Sequence, residues 1–351
     1  MTDSTDRKQI ATGAALDFVL ALRRRWADTV YPHVRSEFDA ALPAAYAVDA
    51  ATVADTVHSL PTYPWFAWME RGSQKMLWRA TRDAVRGQTL TGATGPARVR
   101  LDPNLQLPAW YTDWDIHLQP GGVWRDDESA LTYELGAKLV MLGENDDYRF
   151  HHLFVETAVP AREYRRIVDL GCGFGKSTWP FKKAFPQAEV IGVDLAGPCV
   201  QLAAQRASER GLAIEFRQAN ATATGLADAS IDLICSTMFV HEVPPDVLPA
   251  VFEECNRVLA PGGVLRFLDF QRTGDAFRDL AMVEHGARNN EPFLPMAIAS
   301  DLVRMARQAG FTNIRWTAFD ERRDGRLPQL EWPQRSEWHF PWAVLEAEKP
   351  A

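Results

Sequence analysis

Three glycines at alternate positions follow a short apolar run in the stretch IVDLGCGFGKSTW, which begins at Ile167. Gly171, Gly173 and Gly175 carry no β-carbon, so a ligand can approach the backbone closely there. A helix predicted to begin near Lys176 would direct its first N–H groups at the same point. The stretch therefore predicts a site for a dinucleotide or for another adenosyl cofactor at the end of a strand.

The glycine spacing separates these two kinds of cofactor. A dinucleotide fingerprint places glycines at its first, third and sixth positions, and the sixth position counted from Gly171 is Lys176. Asp169 lies two residues before Gly171, and Asp194 ends the next predicted strand, where a carboxylate can accept both hydroxyls of a ribose. An NAD-dependent oxidoreductase is therefore the disfavoured alternative.

A second group of reactive side chains lies in STMFVHEVPP, residues 236–245. His241 is a candidate general base, and Glu242 either orients it or acts directly on an acceptor. The structural alternative is that His241 packs against a cofactor and Glu242 caps the next helix. The residue three after Glu242 is Pro245, which does not fit an HExxH zinc motif, so we predict no metal.

Alternating strands and helices after residue 160 must position these groups. The alternation predicts an α/β fold with a parallel sheet that is covered on both faces. The predicted strands are 166–170, 189–194, 213–218, 231–236, 264–269, 313–318 and 337–345. The predicted helices between them are 176–185, 197–210, 245–259 and 299–309.

The first part of the chain has a different character. Helical periodicity predicts helices over 8–40, 48–60, 65–85 and 130–143. The irregular segment 88–125 carries Trp110, Tyr111, Trp114, Asp115, His117 and Trp124, and aromatic faces can hold a cation or a flat apolar molecule. We expect residues 1–130 to cap the substrate site and to offer a candidate homodimer surface. Residues 131–351 would form the sheet domain, with a lid at 271–298.

Composition limits the classes of partner. The 351 residues carry a formal charge of −8, which argues against a nonspecific nucleic-acid surface. The N-terminal sequence shows no signal peptide and no membrane span. Four cysteines without a CxxC pair are typical of a reduced core. These features predict a cytoplasmic protein with no membrane partner.

Residues from about 160 to 320 resemble class I S-adenosylmethionine-dependent methyltransferases of the subgroup that methylates small molecules. Four segments carry the resemblance in order: VDLGCGFG, VIGVDLA, RQANATATGLADASIDLICS and VLAPGGVLRFLDF. The resemblance implies a doubly wound, seven-stranded Rossmann-like sheet with a mainly helical N-terminal extension. It also implies S-adenosylmethionine as cofactor and S-adenosylhomocysteine as product.

The resemblance assigns roles to individual positions. It implies that Asp169 orients the amino group of the cofactor, that Asp194 binds the ribose and that Asn220, where Asp is usual, reads the adenine. Thr237 and Met238 would lie near the sulfonium. The other implied cofactor-binding residues are Gly171, Cys172, Gly173, Gly175, Leu195 and Ala221, with Tyr133 and Tyr148 as candidate lid residues.

The function that the resemblance implies is methyl transfer to a small apolar or aromatic metabolite. Oxygen is the favoured acceptor atom, and carbon and nitrogen stay open. The alternative outside catalysis is a cofactor-binding scaffold whose N-terminal segment makes the functional contacts.

Overall fold

The computed structural model describes residues 2–42, 49–145 and 147–351, with side chains in the first helix from residue 11 onward. Met1, the first residue of the predicted N-terminal region, and residue 48, the first of the predicted helix 48–60, lie outside the described residues. The same holds for the side chain of Ile10 within the predicted helix 8–40.

The helices and strands follow in chain order. The α-helices are α1 (Thr2–Arg25), α2 (Tyr31–Ala41), α3 (Ala50–Ser59), α4 (Tyr63–Val85), α5 (Ala109–Thr112), α6 (Asp127–Val140), α7 (Arg149–Ala158), α8 (Thr178–Ala184), α9 (Gly197–Glu209), α10 (Leu248–Val258), α11 (Ala276–Arg288), α12 (Leu294–Ala299) and α13 (Leu302–Gln308). The strands are β1 (Arg98–Arg100), β2 (Arg166–Leu170), β3 (Glu189–Asp194), β4 (Glu215–Gln218), β5 (Ile231–Thr237), β6 (Leu259–Phe270), β7 (Thr312–Asp320), β8 (Gly325–Arg326) and β9 (Trp342–Glu348).

One sheet carries all of these strands, in the order β1-β4-β3-β2-β5-β6-β9-β7-β8. The pairs from β1 to β6 are parallel, and β9 runs antiparallel to both β6 and β7. The α/β Rossmann-like class is confirmed, but the count of seven is wrong. The two additional strands, β1 and β8, are short edge strands, and the RVR sequence of β1 has no apolar alternation that could reveal it.

Successive side chains of the central strands pack alternately into two apolar cores, one on each face of the sheet. Ile167 of β2 and Leu233 of β5 belong to one buried cluster. Val168 and Ile234, one residue further along, belong to the other. Successive side chains of a strand point to opposite faces, and burying each such side chain contributes about 1.5–3 kcal/mol. The two layers of apolar contacts thus hold the strand ends, and the loops that follow them, in fixed positions.

The N-terminal helices pack onto this sheet domain. A π-helical turn at Trp26–Val30 joins α1 to α2 without a break. Helix α6 spans the predicted division at residues 130 and 131, and its Glu134 makes a two-pronged ion pair with Arg206 of α9, at 2.7 and 2.8 Å. Strand β1 extends the sheet beside β4. Within the described ranges, no helix is long and apolar enough to cross a lipid bilayer.

Candidate active site

The glycine loop lies between β2 and α8 and has left-handed backbone at its first two glycines. Gly171 has φ +67° and Gly173 has φ +51°. A β-carbon at Gly171 would lie 2.6 Å from the ring of Phe239, and one at Gly173 would lie 3.2 Å from the ring of Tyr133. Both the backbone angles and the close packing therefore require glycine.

Asp194 at the end of β3 fixes the loop from the side. Its carboxylate accepts hydrogen bonds from the N–H groups of Gly173 and Ala196, each at 2.8 Å. Burial raises the pKa of Asp194, and the backbone hydrogen bonds to its carboxylate partly offset this rise. The half-buried side chain of Asp194 lines the cleft that the loop borders.

Asp169 lies beneath the loop, fully buried. Its Oδ2 accepts hydrogen bonds from the hydroxyls of Ser177 at 2.6 Å and Thr178 at 2.7 Å, while Oδ1 has no partner in the described part of the chain. Burial raises its pKa to about 6, although both hydroxyls act in the opposite direction. Asp169 therefore ties the glycine loop to the start of α8.

A single cleft extends from the glycine loop to the N-terminal helices. Its empty space is about 1470 Å³, counted out to the open solvent at the mouth. The wall includes ten of the predicted site residues: Tyr133, Gly171, Gly173, Asp194, Leu195, Asn220, Ala221, Met238, His241 and Glu242.

The other five predicted residues lie away from the wall. Asp169 is beneath the loop, and Cys172 and Thr237 are buried within the sheet. Gly175 packs close to Trp179, Ala203 and Phe216. Tyr148 precedes α7 and places its ring edge-on to Trp179, with 5.2 Å between the centroids. Cys172 and Gly175 belong to the loop itself, and none of the five residues lines the cleft.

Asn220, which the resemblance predicts to read the adenine, forms a tight turn of its own. Its side-chain oxygen accepts a hydrogen bond from the Thr222 N–H at 3.0 Å. Met238, after β5, has a left-handed φ of +58°. Such backbone strain in a non-glycine residue is concentrated at functional sites.

His241 is held between two carboxylates. Its Nδ1 lies 2.6 Å from Asp269 Oδ1, and its Nε2 lies 3.4 Å from Glu242 Oε1. Asp269 Oδ2 also accepts the N–H groups of Phe239 and Val240, at 3.0 and 2.7 Å. Asp269 therefore fixes both the ring of His241 and the turn that carries it.

His117 reaches the same carboxylate from the N-terminal region. Its Nε2 lies 3.0 Å from Glu242 Oε1, and its Nδ1 lies 2.9 Å from Glu291 Oε1. The backbone of His117 has φ +60°, and that of Leu118 has φ +63°. This single imidazole joins the loop after β5 to the segment between α11 and α12.

The pKa shifts in this cluster follow from its ion pairs. Burial alone would lower the pKa of His117, but Glu242 and Glu291 raise it to about 10. For His241 burial also acts downward, and Asp269 raises the pKa well above its ordinary value. Burial would raise the pKa of Glu242, whereas His117 and His241 lower it. Both rings are thus imidazolium at neutral pH, and Glu242 is a carboxylate.

Lys176 adds a cation at the cofactor end of the cleft. Its Nζ lies 5.7 Å from the centroid of Tyr133 and 5.5 Å from that of Phe174. Burial lowers its pKa to about 8, which leaves it mostly protonated at neutral pH. An ammonium group over aromatic rings beside a glycine loop can bind a carboxylate.

The sequence indicated only part of this cluster. It located His241 and Glu242, and it placed Asp269 at the same strand-end rim. His117 pairs with both Glu242 and Glu291. The three residues lie in distant segments of the chain, and no local sequence pattern connects them. Among the described residues, no group of three or more His, Cys, Asp or Glu side chains has a metal-binding arrangement.

Comparison with known proteins bears on the sheet domain. A family described as "Methyltransferase domain" matches residues 167–263. A demethylmenaquinone methyltransferase of Thermus thermophilus is 35% identical over 143 residues, which cover 41% of this chain and 63% of that protein. A ubiquinone/menaquinone biosynthesis C-methyltransferase of Bdellovibrio bacteriovorus is 32% identical over 144 residues, with 40% and 58% covered.

These alignments span less than two thirds of either relative. Among solved structures, phosphoethanolamine N-methyltransferase 2 of Haemonchus contortus, in complex with S-adenosyl-L-methionine, has a TM-score of 0.48 and 15% identity, and the alignment covers 70% of this chain and 61% of that one. The matched residues 167–263 run from β2 into β6 and include the glycine loop, Asp194, His241 and Glu242. The chain thus contains a segment, residues 167–263, that matches a methyltransferase domain.

Proposed function

We propose that this protein is an S-adenosylmethionine-dependent methyltransferase that methylates a small apolar or aromatic acceptor in the cleft. One observation carries the proposal: a single cleft joins the glycine loop and Asp194 at one end to aromatic walls and the charged cluster around Glu242 at the other. Binding donor and acceptor in one enclosed space aligns them for an in-line displacement and excludes water.

Three side chains fit the cofactor at the loop end. Asp194 can accept the ribose hydroxyls, and Lys176 can pair with the carboxylate of the methionine part. Tyr133, which lies against Gly173, covers the loop. When bound there, S-adenosylmethionine supplies a methyl group on a positively charged sulfur.

Glu242 is the side chain best suited to contact the acceptor. Its Oε1 is engaged by His117 and His241, while Oε2 has no hydrogen-bond partner in the described residues. A buried, unpartnered oxygen in the wall of the cleft can accept a hydrogen bond from an acceptor hydroxyl. His241, already protonated, then acts as a positioning residue for Glu242 and not as the general base.

Oxygen is the acceptor atom that this arrangement favours, with carbon and nitrogen as alternatives. The oxygen–methyl bond forms as the carbon–sulfur bond breaks, and the hydroxyl becomes strongly acidic as it is methylated. Even a carboxylate with a lowered pKa can then take up the proton and pass it to solvent. A low pKa in Glu242 is therefore compatible with this role.

The N-terminal region and the lid complete the acceptor end. The wall there includes Trp78 of α4, Trp110 and His117 of the irregular segment, and His285 of α11. These contacts support the proposal that residues 1–130 cap the acceptor site and that 271–298 form a lid over the domain 131–351. A homodimer through the N-terminal region and a cytoplasmic location also stay predictions.

Calorimetry with S-adenosylhomocysteine and NADH tests the cofactor assignment. We expect the first to bind and the second not to bind. Asp194→Ala should abolish binding, since it removes the ribose acceptor and also releases the Gly173 N–H, while Asp194→Asn separates the two effects by keeping one acceptor oxygen. Asp228→Ala, which removes a largely exposed carboxylate, is the matched control.

Incubation with labelled S-adenosylmethionine and an extract of the source organism tests catalysis. A labelled product that is absent with Asp194→Ala would support the proposal. Cofactor binding without methyl transfer to any fraction would favour the scaffold instead, and binding of NADH alone would refute the assignment.

A further inference from the structure

Arg23 is a buried cation without a carboxylate partner. Its side chain belongs to α1 and is only 6% exposed. Nη1 donates a hydrogen bond to Gln74 Oε1 at 2.6 Å, and Nε has no partner. In the described part of the chain, no carboxylate forms an ion pair with Arg23 within 4.0 Å.

The glutamates that line the same two cavities as Arg23 pair with other side chains, among them Glu144 with Arg322 and Glu321 with Arg335. Glu70 pairs with Arg288 and with His285, and Glu291 pairs with His117. Gln74 cannot supply a charge, and its amide is oriented by a second hydrogen bond, from Nε2 to the carbonyl oxygen of His117 at 3.3 Å. Among the described residues, the side-chain hydrogen bond of Arg23 thus goes to a neutral amide oxygen, and Glu70, which is itself paired, acts on its charge only from beyond ion-pair distance.

Arg23 also lies where two cavities adjoin. It lines the main cleft and a second cavity that is bordered by Glu70, Asn145 and Arg149. The residues common to both walls are otherwise mainly apolar: Val140, Met141, His285, Phe340 and Trp342. Arg23 thus borders open space in a setting that is mainly apolar and aromatic.

A buried charge without a counter-ion is costly, and folded proteins retain one mainly where something else pairs with it. An arginine presents its N–H groups as a planar fork that matches a carboxylate or a phosphate. We propose that Arg23 binds an anionic group, a carboxylate or a phosphate, of the methyl acceptor, whose apolar body lies in the cleft. This inference rests on the proposed function for the identity of the ligand as the acceptor.

Aromatic probes that differ only in charge test this site. Wild-type protein, with and without S-adenosylhomocysteine, is titrated by calorimetry with 2-naphthoate, 2-naphthyl phosphate and the uncharged 2-naphthamide. A charge-assisted hydrogen bond to the anion should make one of the two anions bind roughly tenfold to a hundredfold more tightly than the amide. Whichever anion is preferred indicates whether a carboxylate or a phosphate is the natural group.

Arg23→Met removes the charge at similar volume and should abolish that preference. Arg24→Met is the matched control, because Arg24 is exposed on the same helix, donates to the carbonyl oxygen of Leu142 and lines neither cavity. It should leave the preference unchanged. If Arg23→Met does not fold, Arg23→Gln gives the same readout with an uncharged polar side chain.

Thermal unfolding of the ligand-free variants supplies a second readout. If Arg23 serves to bind a ligand and does not stabilise the fold, the thermal unfolding midpoint of Arg23→Met should be higher than that of the wild type. Equal affinity of wild type for the anions and the amide, or a preference that survives in Arg23→Met, overturns the inference. If S-adenosylhomocysteine binds but the protein does not prefer either anion over the amide, only the anion site at Arg23 is refuted. If the protein prefers an anion but does not bind S-adenosylhomocysteine, the proposed function is refuted.

Discussion

Replacing His117 with glutamine removes one charge from the cluster around Glu242 and keeps a hydrogen-bond donor. In the wild type the imidazolium lies 3.0 Å from Glu242 and 2.9 Å from Glu291, and Glu291 is almost fully buried. Glutamine can donate to one of these carboxylates but cannot neutralise either. We expect the N-terminal region to be held less firmly over the cleft, and the protein to be less stable.

The pKa of His117 sets the size of the effect. Its rise from 6.5 to about 10 limits the contribution to about 5 kcal/mol, at 1.36 kcal/mol for each pH unit. Breaking a buried ion pair by removing one partner typically costs about 3–5 kcal/mol. Because glutamine can still donate a hydrogen bond to one of the two carboxylates, we expect the lower end of this range, a loss of about 3 kcal/mol in the free energy of unfolding below pH 6.5.

The pH dependence has a definite sign. The folded-state pKa is raised, so the stabilisation is fully present below pH 6.5 and is lost as pH rises through about 10. Urea unfolding of wild type and His117→Gln at intervals between pH 6 and pH 10 measures it. The difference between the two proteins should be largest at pH 6 and should shrink by at most about 1.4 kcal/mol per pH unit.

His33→Gln is the control for loss of a histidine. His33 is 63% exposed and pairs with Glu37 on its own helix, so the change should stay within about 0.5 kcal/mol. A His117→Gln difference that is constant from pH 6 to pH 10, or that grows with pH, would refute the assignment of an imidazolium between the two carboxylates.

Further predictions concern the cofactor, the positioning of Glu242 and the packing under the cleft. Lys176→Met should weaken S-adenosylhomocysteine binding about tenfold at pH 7. Affinity of the wild type, but not of the variant, should fall as pH rises through about 8, where Lys176 loses its proton. If calorimetry gives the same pH profile for both proteins, Lys176 does not contact the carboxylate. Asp269→Asn should lower kcat about tenfold or more, because the substitution disturbs His241 and the turn after β5. Binding of S-adenosylhomocysteine should be preserved, and an unchanged kcat would show that Asp269 and His241 are not positioning residues. Gly136→Ala should lower the free energy of unfolding by about 1–3 kcal/mol, since the added carbon would lie 2.1 Å from the Trp78 ring; an unchanged urea midpoint would contradict this packing.

The cofactor end of the cleft was predictable because its geometry is local. A strand, a glycine loop and a helix follow one another in the chain, so the spacing of Gly171 and Gly173 already specifies the turn. Predicted and observed bounds agree for β2 (Arg166–Leu170) and β3 (Glu189–Asp194), where apolar runs are buried on both faces. Asp194 ends its strand, and this placed it beside the loop.

The acceptor end was not predictable because its contacts are long-range. Glu242 pairs with His117 from the irregular N-terminal segment, and His117 also pairs with Glu291 from the segment between α11 and α12. No periodic pattern connects these three positions. The role that we propose for His241 differs from the predicted general base for the same reason, since no sequence pattern shows that Asp269 and Glu242 flank its ring. The exposed RVR strand β1 was missed because its pairing with β4 uses backbone groups that no side-chain pattern reports.

The pairing of β1 with β4 has a consequence for how the acceptor site can diversify. Residues 101–126, which carry Trp110 and His117, are anchored at one end by that pairing and at the other by the contact of α6 with Arg206. A segment fixed at both ends tolerates changes in sequence and length at small entropic cost, provided that His117 keeps its contacts with Glu242 and Glu291. Acceptor specificity and cofactor binding are then separable traits, and exchanging this one segment between related proteins should transfer the first without disturbing the second.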